Sequence, residues 1–188
     1  IVWVGTSAAD TFNGSAAADT ITGKAGVDKL DGKGGGDLYI MASVTDHAAA
    51  EVTDTGSSGT DELRFTSTTA STLNLYAGDT GLELVTIGTG TGTSAVTTGT
   101  KALNINAAAV LNALTLQGND GINTLTGTAY ADTIDGGGGN DMIYGGAGND
   151  TLTGGGGADR FFAGLGNDTI VLTSTDVTKL GTITAGGP

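Results

Sequence analysis

The chain has 188 residues, with 20 acidic against 7 basic side chains and a formal net charge of −13. That balance excludes the basic footprint of a nucleic-acid-binding protein. Cysteine is absent, which excludes a disulfide framework and thiolate metal sites.

Glycine occurs 35 times and proline once, so the chain is neither collagen-like nor a proline-rich linker. Seventeen of the acids are Asp and three are Glu, a bias toward turns and away from helical surfaces. No apolar run approaches the length of a membrane helix. The opening residues, IVWVGTSAAD, have neither a basic start nor an apolar core and do not read as a signal peptide. With no initiator Met, the chain reads as a piece cut from a larger protein.

A period of nine begins at once. GTSAADTFN (5–13), GSAAADTIT (14–22), GKAGVDKLD (23–31) and GKGGGDLYI (32–40) put aspartates at Asp10, Asp19, Asp28 and Asp37. Their eighth places are Phe12, Ile21, Leu30 and Tyr39. One further step of nine lands on Asp46. The first two units lack the second and fourth glycines, so they read as the degenerate start of an array.

From Met41 to Gly121 the frame loosens. GSSGTDELR (56–64) keeps it, with Asp61 sixth and Leu63 eighth. Beyond that the in-phase aspartates stop, but alternating pairs remain at Leu73/Leu75, Leu82/Leu84, Leu103/Ile105 and Leu114/Leu116. Alternation predicts short strands, with both members of each pair on one face. Glycine and threonine fill the gaps. The stretch reads as the same repeat continuing with wider turns that lack the in-phase aspartate. A separate small β-domain between two arrays is the other reading.

The frame returns at Gly118, where Asn123 takes the aspartate's place and Leu125 the apolar one. GTAYADTID (127–135), GGGGNDMIY (136–144), GGAGNDTLT (145–153), GGGGADRFF (154–162) and AGLGNDTIV (163–171) follow. They carry Asp132, Asp141, Asp150, Asp159 and Asp168, with Ile134, Ile143, Leu152, Phe161 and Ile170 in the eighth places. The tail from Thr173 is polar and reads as a lead into a next module.

Nine residues make half a coil, a six-residue turn and a three-residue strand. Two halves return the chain above itself, with strands stacked at roughly 4.8 Å. About ten such coils would give a rod roughly 50 Å long. Eighth-place side chains then form a thin apolar core between two parallel sheets, stable only through stacking. Asp132, Asp150 and Asp168 fall on one edge, Asp141 and Asp159 on the other. Carboxylates stacked at strand spacing repel unless a cation lies between them. Calcium accepts six to eight hard oxygens in flexible geometry, whereas magnesium demands a tighter octahedron. Glycine, which tolerates positive φ, turns backbone carbonyls toward the same place.

These units resemble the GGxGxDxUx nonapeptide of repeats-in-toxin (RTX) proteins, a calcium-binding β-helix repeat. The resemblance covers residues 5–64 and 118–171, and Asp37 to Phe65 looks like the variant that links such arrays. It implies an all-β, right-handed parallel β-roll or β-solenoid, here with a calcium-poor, wider-coil midsection. It also implies several calcium ions, each between turns two repeats apart. One turn gives the carbonyls of its first and third residues, the other those of its second and fourth, and each gives its aspartate. Gly136, Gly138 and Asp141 would share an ion with Gly155, Gly157 and Asp159. Gly145, Ala147 and Asp150 would share one with Gly164, Gly166 and Asp168. Gly127, Ala129 and Asp132 would pair with Gly146, Gly148 and Asp150. In the first block Asp10 would pair with Asp28, and Asp19 with Asp37. Lys24 and Lys33, at second places, should weaken those sites. Asp46 and Asp61 are further candidate ligands.

The out-of-phase acids Asp54, Asp79, Asp120, Asp135 and Asp176 are expected to be ordinary turn or surface residues, and Glu51 to cap a site near Asp61. His47, the single histidine, is expected in a solvated loop. With no Cys, no GxSxG and no partnered histidine, catalysis is not expected. A threonine ladder that binds a crystalline surface is a further reading of the midsection.

The expected organisation is one continuous solenoid over 1–188. Residues 5–46 form a first block, 47–121 degenerate coils, 122–172 a second block and 173–188 a tail. The expected role is a calcium-folded structural module of a large secreted or cell-surface bacterial protein, an adhesin or surface layer. The alternative is the folding and export module of a type I-secreted hydrolase or toxin. Expected partners are calcium and neighbouring copies or cell-surface components, with no nucleic acid and no membrane insertion.

Overall fold

The computed structural model describes residues 1–47, 51–173 and the strand Ile183–Thr184. Asp176 and most of the polar tail lie outside the described residues. The fold is an all-β solenoid of parallel strands. Among the described residues the one helical element is a 3-10 turn, Val44–Asp46, capped by the Ser43 hydroxyl. Among the described residues no helix is long and apolar enough to cross a membrane.

Nine strands form one sheet in the order β1 (Val2–Val4), β3 (Thr20–Thr22), β5 (Leu38–Met41), β6 (Glu62–Phe65), β8 (Leu84–Ile87), β10 (Thr115–Gln117), β12 (Thr133–Asp135), β14 (Thr151–Thr153) and β16 (Thr169–Val171). Six form the other: β7 (Ser71–Asn74), β9 (Leu103–Asn106), β11 (Thr124–Thr126), β13 (Met142–Ala147), β15 (Arg160–Leu165) and β17 (Ile183–Thr184). β2 (Thr11–Asn13) and β4 (Lys29–Asp31) pair separately. Val52 extends that pair through a bridge to Leu30.

Register follows the eighth places. Ile21, Tyr39, Leu63 and Val85 pair in sequence, and Leu116, Ile134, Leu152 and Ile170 continue the column. Opposite them stand Leu73, Ile105, Leu125, Ile143 and Phe161. All but Ile170 are buried, and Ile170 packs against the cluster. The thin two-sheet core is therefore as the nonapeptide period predicts. Each strand contributes one or two inward side chains, so a coil gains burial only from the coils above and below it.

The midsection keeps the sheets but lengthens the coils. The Asp37–Asp61 step is 24 residues and the Asp61–Glu83 step 22, against 18 inside the arrays. Three expectations change here. Leu82 and Leu84 do not share a face, because β8 turns Val85 and Ile87 inward and leaves Leu84 half-buried. Asp46 leaves the aspartate column, since Leu30 is bridged by Val52, four residues beyond the nonapeptide frame. Asp46 accepts instead from Ala42 N. His47 is not solvated. Its ring is enclosed, with Nε2 2.8 Å from Asp79 Oδ2 and Nδ1 3.6 Å from Glu51 Oε2.

Where threonine and glycine repeat, the chain makes a short antiparallel excursion closed by Thr89 and Val96. The buried Arg64 holds it, donating to the carbonyls of Gly90 and Gly92 and pairing with Glu62.

Candidate metal centre

The sixth place of each unit directly precedes a strand, so stacking the strands stacks the aspartates. Beyond the first coil, one oxygen of the stacked carboxylate accepts from the backbone N–H of the residue one coil earlier. Along the edge of the nine-stranded sheet, Asp37 Oδ1 accepts from Asp19 N at 2.7 Å and Asp61 Oδ1 from Asp37 N at 2.7 Å. Asp132 Oδ1 accepts from Leu114 N, Asp150 Oδ1 from Asp132 N and Asp168 Oδ1 from Asp150 N. On the other edge Asp28 accepts from Asp10 N, Asp141 from Asn123 N and Asp159 from Asp141 N. The structure thus brings together the aspartate pairs that the repeat implies.

The second oxygen separates the aspartates into two groups. In Asp28, Asp37, Asp141 and Asp150, Oδ2 is buried and has no hydrogen-bond partner. A buried polar atom left so costs roughly 1–3 kcal/mol, and more if charged. In Asp10, Asp19 and Asp132, Oδ2 accepts from the second residue of its own turn. Thr6, Ser15 and Thr128 give their amides at 2.6, 2.8 and 2.6 Å, and their hydroxyls add further bonds. In all three turns the second glycine is replaced by Thr or Ser. The hydroxyl and amide do locally what an ion would otherwise do.

The turn backbone fits the same division. The second and fourth places of the glycine-rich turns hold positive φ, as at Gly155 (89°) and Gly157 (138°). A Cβ at Gly157 would stand 1.4 Å from Gly139 O of the preceding coil. Lys24 and Lys33 occupy this conformation at φ 66° and 75°, a strained position for a side chain. First-place glycines answer a different demand. A Cβ on Gly136 would lie 2.5 Å from Asp141 Oδ2, and one on Gly145 2.4 Å from Asp150 Oδ2. Fifth-place asparagines tie turn to turn, with Asn140 Oδ1 accepting from Ala158 N and Asn149 Oδ1 from Asn167 N.

Burial pushes the Asp141 carboxyl up to about 7, with the charges of Asp159 and Asp135 adding to it and the Asn123 N–H opposing. Burial likewise raises Asp150 to about 6, helped by the charges of Asp132 and Asp168. Asp132 is raised by burial, against the bonds from Thr128 and Leu114. A divalent cation between such groups would favour their ionised form.

Residues that fit calcium are therefore Asp141 with Asp159 and Asp150 with Asp168, and Asp28 and Asp37 in the first block. The donors are oxygens alone, a hard set suited to calcium. Of the carbonyls that the repeat implies, Gly155 O accepts from the Thr173 hydroxyl.

Sequence reading missed three groups. Glu83 takes the aspartate's role in a 22-residue coil, its Oε2 accepting from Asp61 N at 2.8 Å. Asp54 and Asp79, expected on the surface, are 5% and 1% exposed. The signal for Asp54 was local. It stands two residues before Gly56 and accepts from its N–H, an Asx turn. Glu51 lies near Gly23, where a Cβ would meet its Oε1 at 3.3 Å, and beside His47.

Asn123 shows how a turn closes without metal. Its Oδ1 accepts from Asn119 N, and its Nδ2 donates to Leu103 O at 2.6 Å and Asn119 Oδ1 at 3.1 Å. The amide nitrogen brings donors to an oxygen-lined turn, as a cation would bring charge.

The family model of the RTX calcium-binding nonapeptide repeat, in four copies, matches residues 4–39, 117–152 and 140–170. No curated protein and no solved structure matches the chain.

Proposed function

We propose that this chain, which carries RTX calcium-binding nonapeptide repeats over residues 4–39 and 117–170, is a calcium-folded structural module. Its parent is a large secreted or cell-surface bacterial protein, an adhesin or surface layer. The observation that carries the reading is the set of buried, partnerless Oδ2 atoms on Asp28, Asp37, Asp141 and Asp150. Calcium, when bound, supplies the positive charge that these stacked carboxylates lack.

The chain's own residues do the rest. The Oδ1 atoms fix the spacing of the coils, the first-place glycines leave room for Oδ2, and the apolar column closes once the edges cease to repel. A core of one or two side chains per strand does not offset chain entropy alone. Binding free energy thereby becomes folding free energy. Such a chain stays unfolded where calcium is scarce, in the cytosol, and folds outside the cell. We read 1–188 as one continuous solenoid, a role for which the midsection is built. There Asn104 donates to Thr72, Asn106 to Asn74 and Asn123 to Leu103, so the stack continues without ions. That continuity favours a spacer or surface rod over the export appendage of a hydrolase or toxin.

Limited proteolysis tests the reading. With calcium the chain should resist cleavage throughout 122–171, while in chelator or in magnesium alone that block should be cut rapidly. Equal resistance in all three conditions would refute the calcium-folded role.

A further inference from the structure

Between β5 and β6 the chain carries an extra carboxylate into the aspartate column. Ligand oxygens of Asp37, Asp54 and Asp61 lie within 4.8 Å of one another. The three residues are 1%, 5% and 3% exposed. Opposite oxygens in a calcium shell stand about 4.6–5.2 Å apart, twice the Ca–O distance. The cluster has the matching size.

Each carboxylate is oriented by a donor outside the cluster's centre. Asp37 Oδ1 accepts from Asp19 N and Asp61 Oδ1 from Asp37 N. Asp54 Oδ1 accepts from Gly56 N at 2.8 Å, and Oδ2 from the Tyr39 hydroxyl at 2.6 Å. Tyr39 is itself fixed, since its oxygen accepts from Gly32 N at 2.7 Å and its ring is fully buried in the core. What remains is Asp37 Oδ2, buried and without a partner. None of the ion pairs formed among the described residues reaches the three acids. The nearest lysine in sequence, Lys33, is engaged by Asp31 at 3.3 Å.

We propose that Asp37, Asp54 and Asp61 form a calcium site of a build different from the repeat sites. It has three carboxylates where a repeat pair has two, and a 24-residue coil in place of 18. Asp54 comes from the insertion and not from a nonapeptide turn. Tyr39 is a positioning residue that aims Asp54 from the core. All-oxygen donors with no imidazole or thiolate favour calcium over zinc. Carboxylate count tunes calcium affinity, so this site fills before the two-carboxylate pairs. It clamps the coil at which the first block gives way to the metal-poor midsection. The proposal rests on the reading of the chain as calcium-binding.

The test uses the 188-residue chain and Asp54→Asn, which retains the shape and the acceptor for Gly56 N, removes one charge and turns the oxygen that faces the Tyr39 hydroxyl into an amide donor. Bound calcium is counted by native mass spectrometry across a titration, and hydrogen exchange follows β5, β6 and β14. The variant should lose one ion from the tightest class, with affinity there reduced on the order of tenfold or more. Exchange at β14 should match the parent in calcium, which shows that the second block still folds. The local effect should reverse in sign with conditions. In calcium, β5 and β6 exchange faster in the variant, while in chelator they exchange no faster than in the parent, because a repulsion has been removed. Tyr39→Phe should weaken the same ion at unchanged stoichiometry. An unchanged ion count with unchanged tight affinity in Asp54→Asn would overturn the site. So would faster exchange of equal size in calcium and in chelator, the mark of a structural role only. If the parent chain binds no calcium at all, the reading under Proposed function falls and takes this site with it.

Discussion

At the scale of single residues, the decisive atoms are carboxylate oxygens. From Asp19 onward the stacked aspartates spend Oδ1 on the coil before them, so the ladder itself is made of protein. The fate of Oδ2 then depends on the second residue of the turn. Threonine or serine there satisfies it, as at Asp132 with Thr128. Glycine leaves it bare, as at Asp141 and Asp150. A pH dependence follows for the calcium-free chain. Asp141 and Asp150 have folded values of about 7 and about 6, above their ordinary 3.8. A raised carboxyl binds more protons folded than unfolded, so its contribution favours the fold at low pH. That contribution is full below about pH 4 and is lost as pH rises through about 6 to 7. In chelator, β-structure by circular dichroism should therefore increase on acidification from pH 8 to pH 5. A flat response, or a loss of structure over that interval, would contradict the assignment of these groups.

Between residues and the whole lie the coils, which come in two kinds. Array coils are 18 residues long and end on carboxylates. Midsection coils are longer, and after Asp61 and Glu83 they are closed by amide side chains and by Arg64. Asn123 marks the boundary, since it stands in the aspartate's place yet donates to Leu103 O and Asn119 Oδ1. Asn123→Asp would set two oxygens against a third and remove both donors. The calcium-loaded variant should lose about 2 kcal/mol or more, read as a lower urea midpoint. A variant at least as stable as its parent would mean that the turn is held by an ion and not by the amide.

The difference between the two kinds of coil also explains what the sequence disclosed. In the arrays, turn, aspartate and apolar residue recur at one fixed spacing, so a single period predicts strand, face, edge and pairing together. Ile134, Ile143 and Leu152 are buried as that period requires. In the midsection each insertion resets the frame. The step to Glu83, the one-residue shift that turns Val85 inward in place of Leu84, and the burial of His47 between Asp79 and Glu51 arise from long-range pairing. No local pattern carries them. Asp54 was hidden for the same reason, although its Asx turn with Gly56 was visible.

For the whole molecule, one sheet runs from β1 to β16 through both kinds of coil, and Asp19, Asp37, Asp61, Asp132, Asp150 and Asp168 stack along its edge. The core holds only one or two side chains per strand, so much of the energy that closes the rod must come from its edges. The direct test is far-UV circular dichroism of the chain titrated with calcium, with magnesium as control and chelator to reverse. The account predicts a cooperative, reversible coil-to-β transition that calcium drives and magnesium does not. A chain already fully β in chelator at neutral pH, and unchanged by calcium, would contradict it.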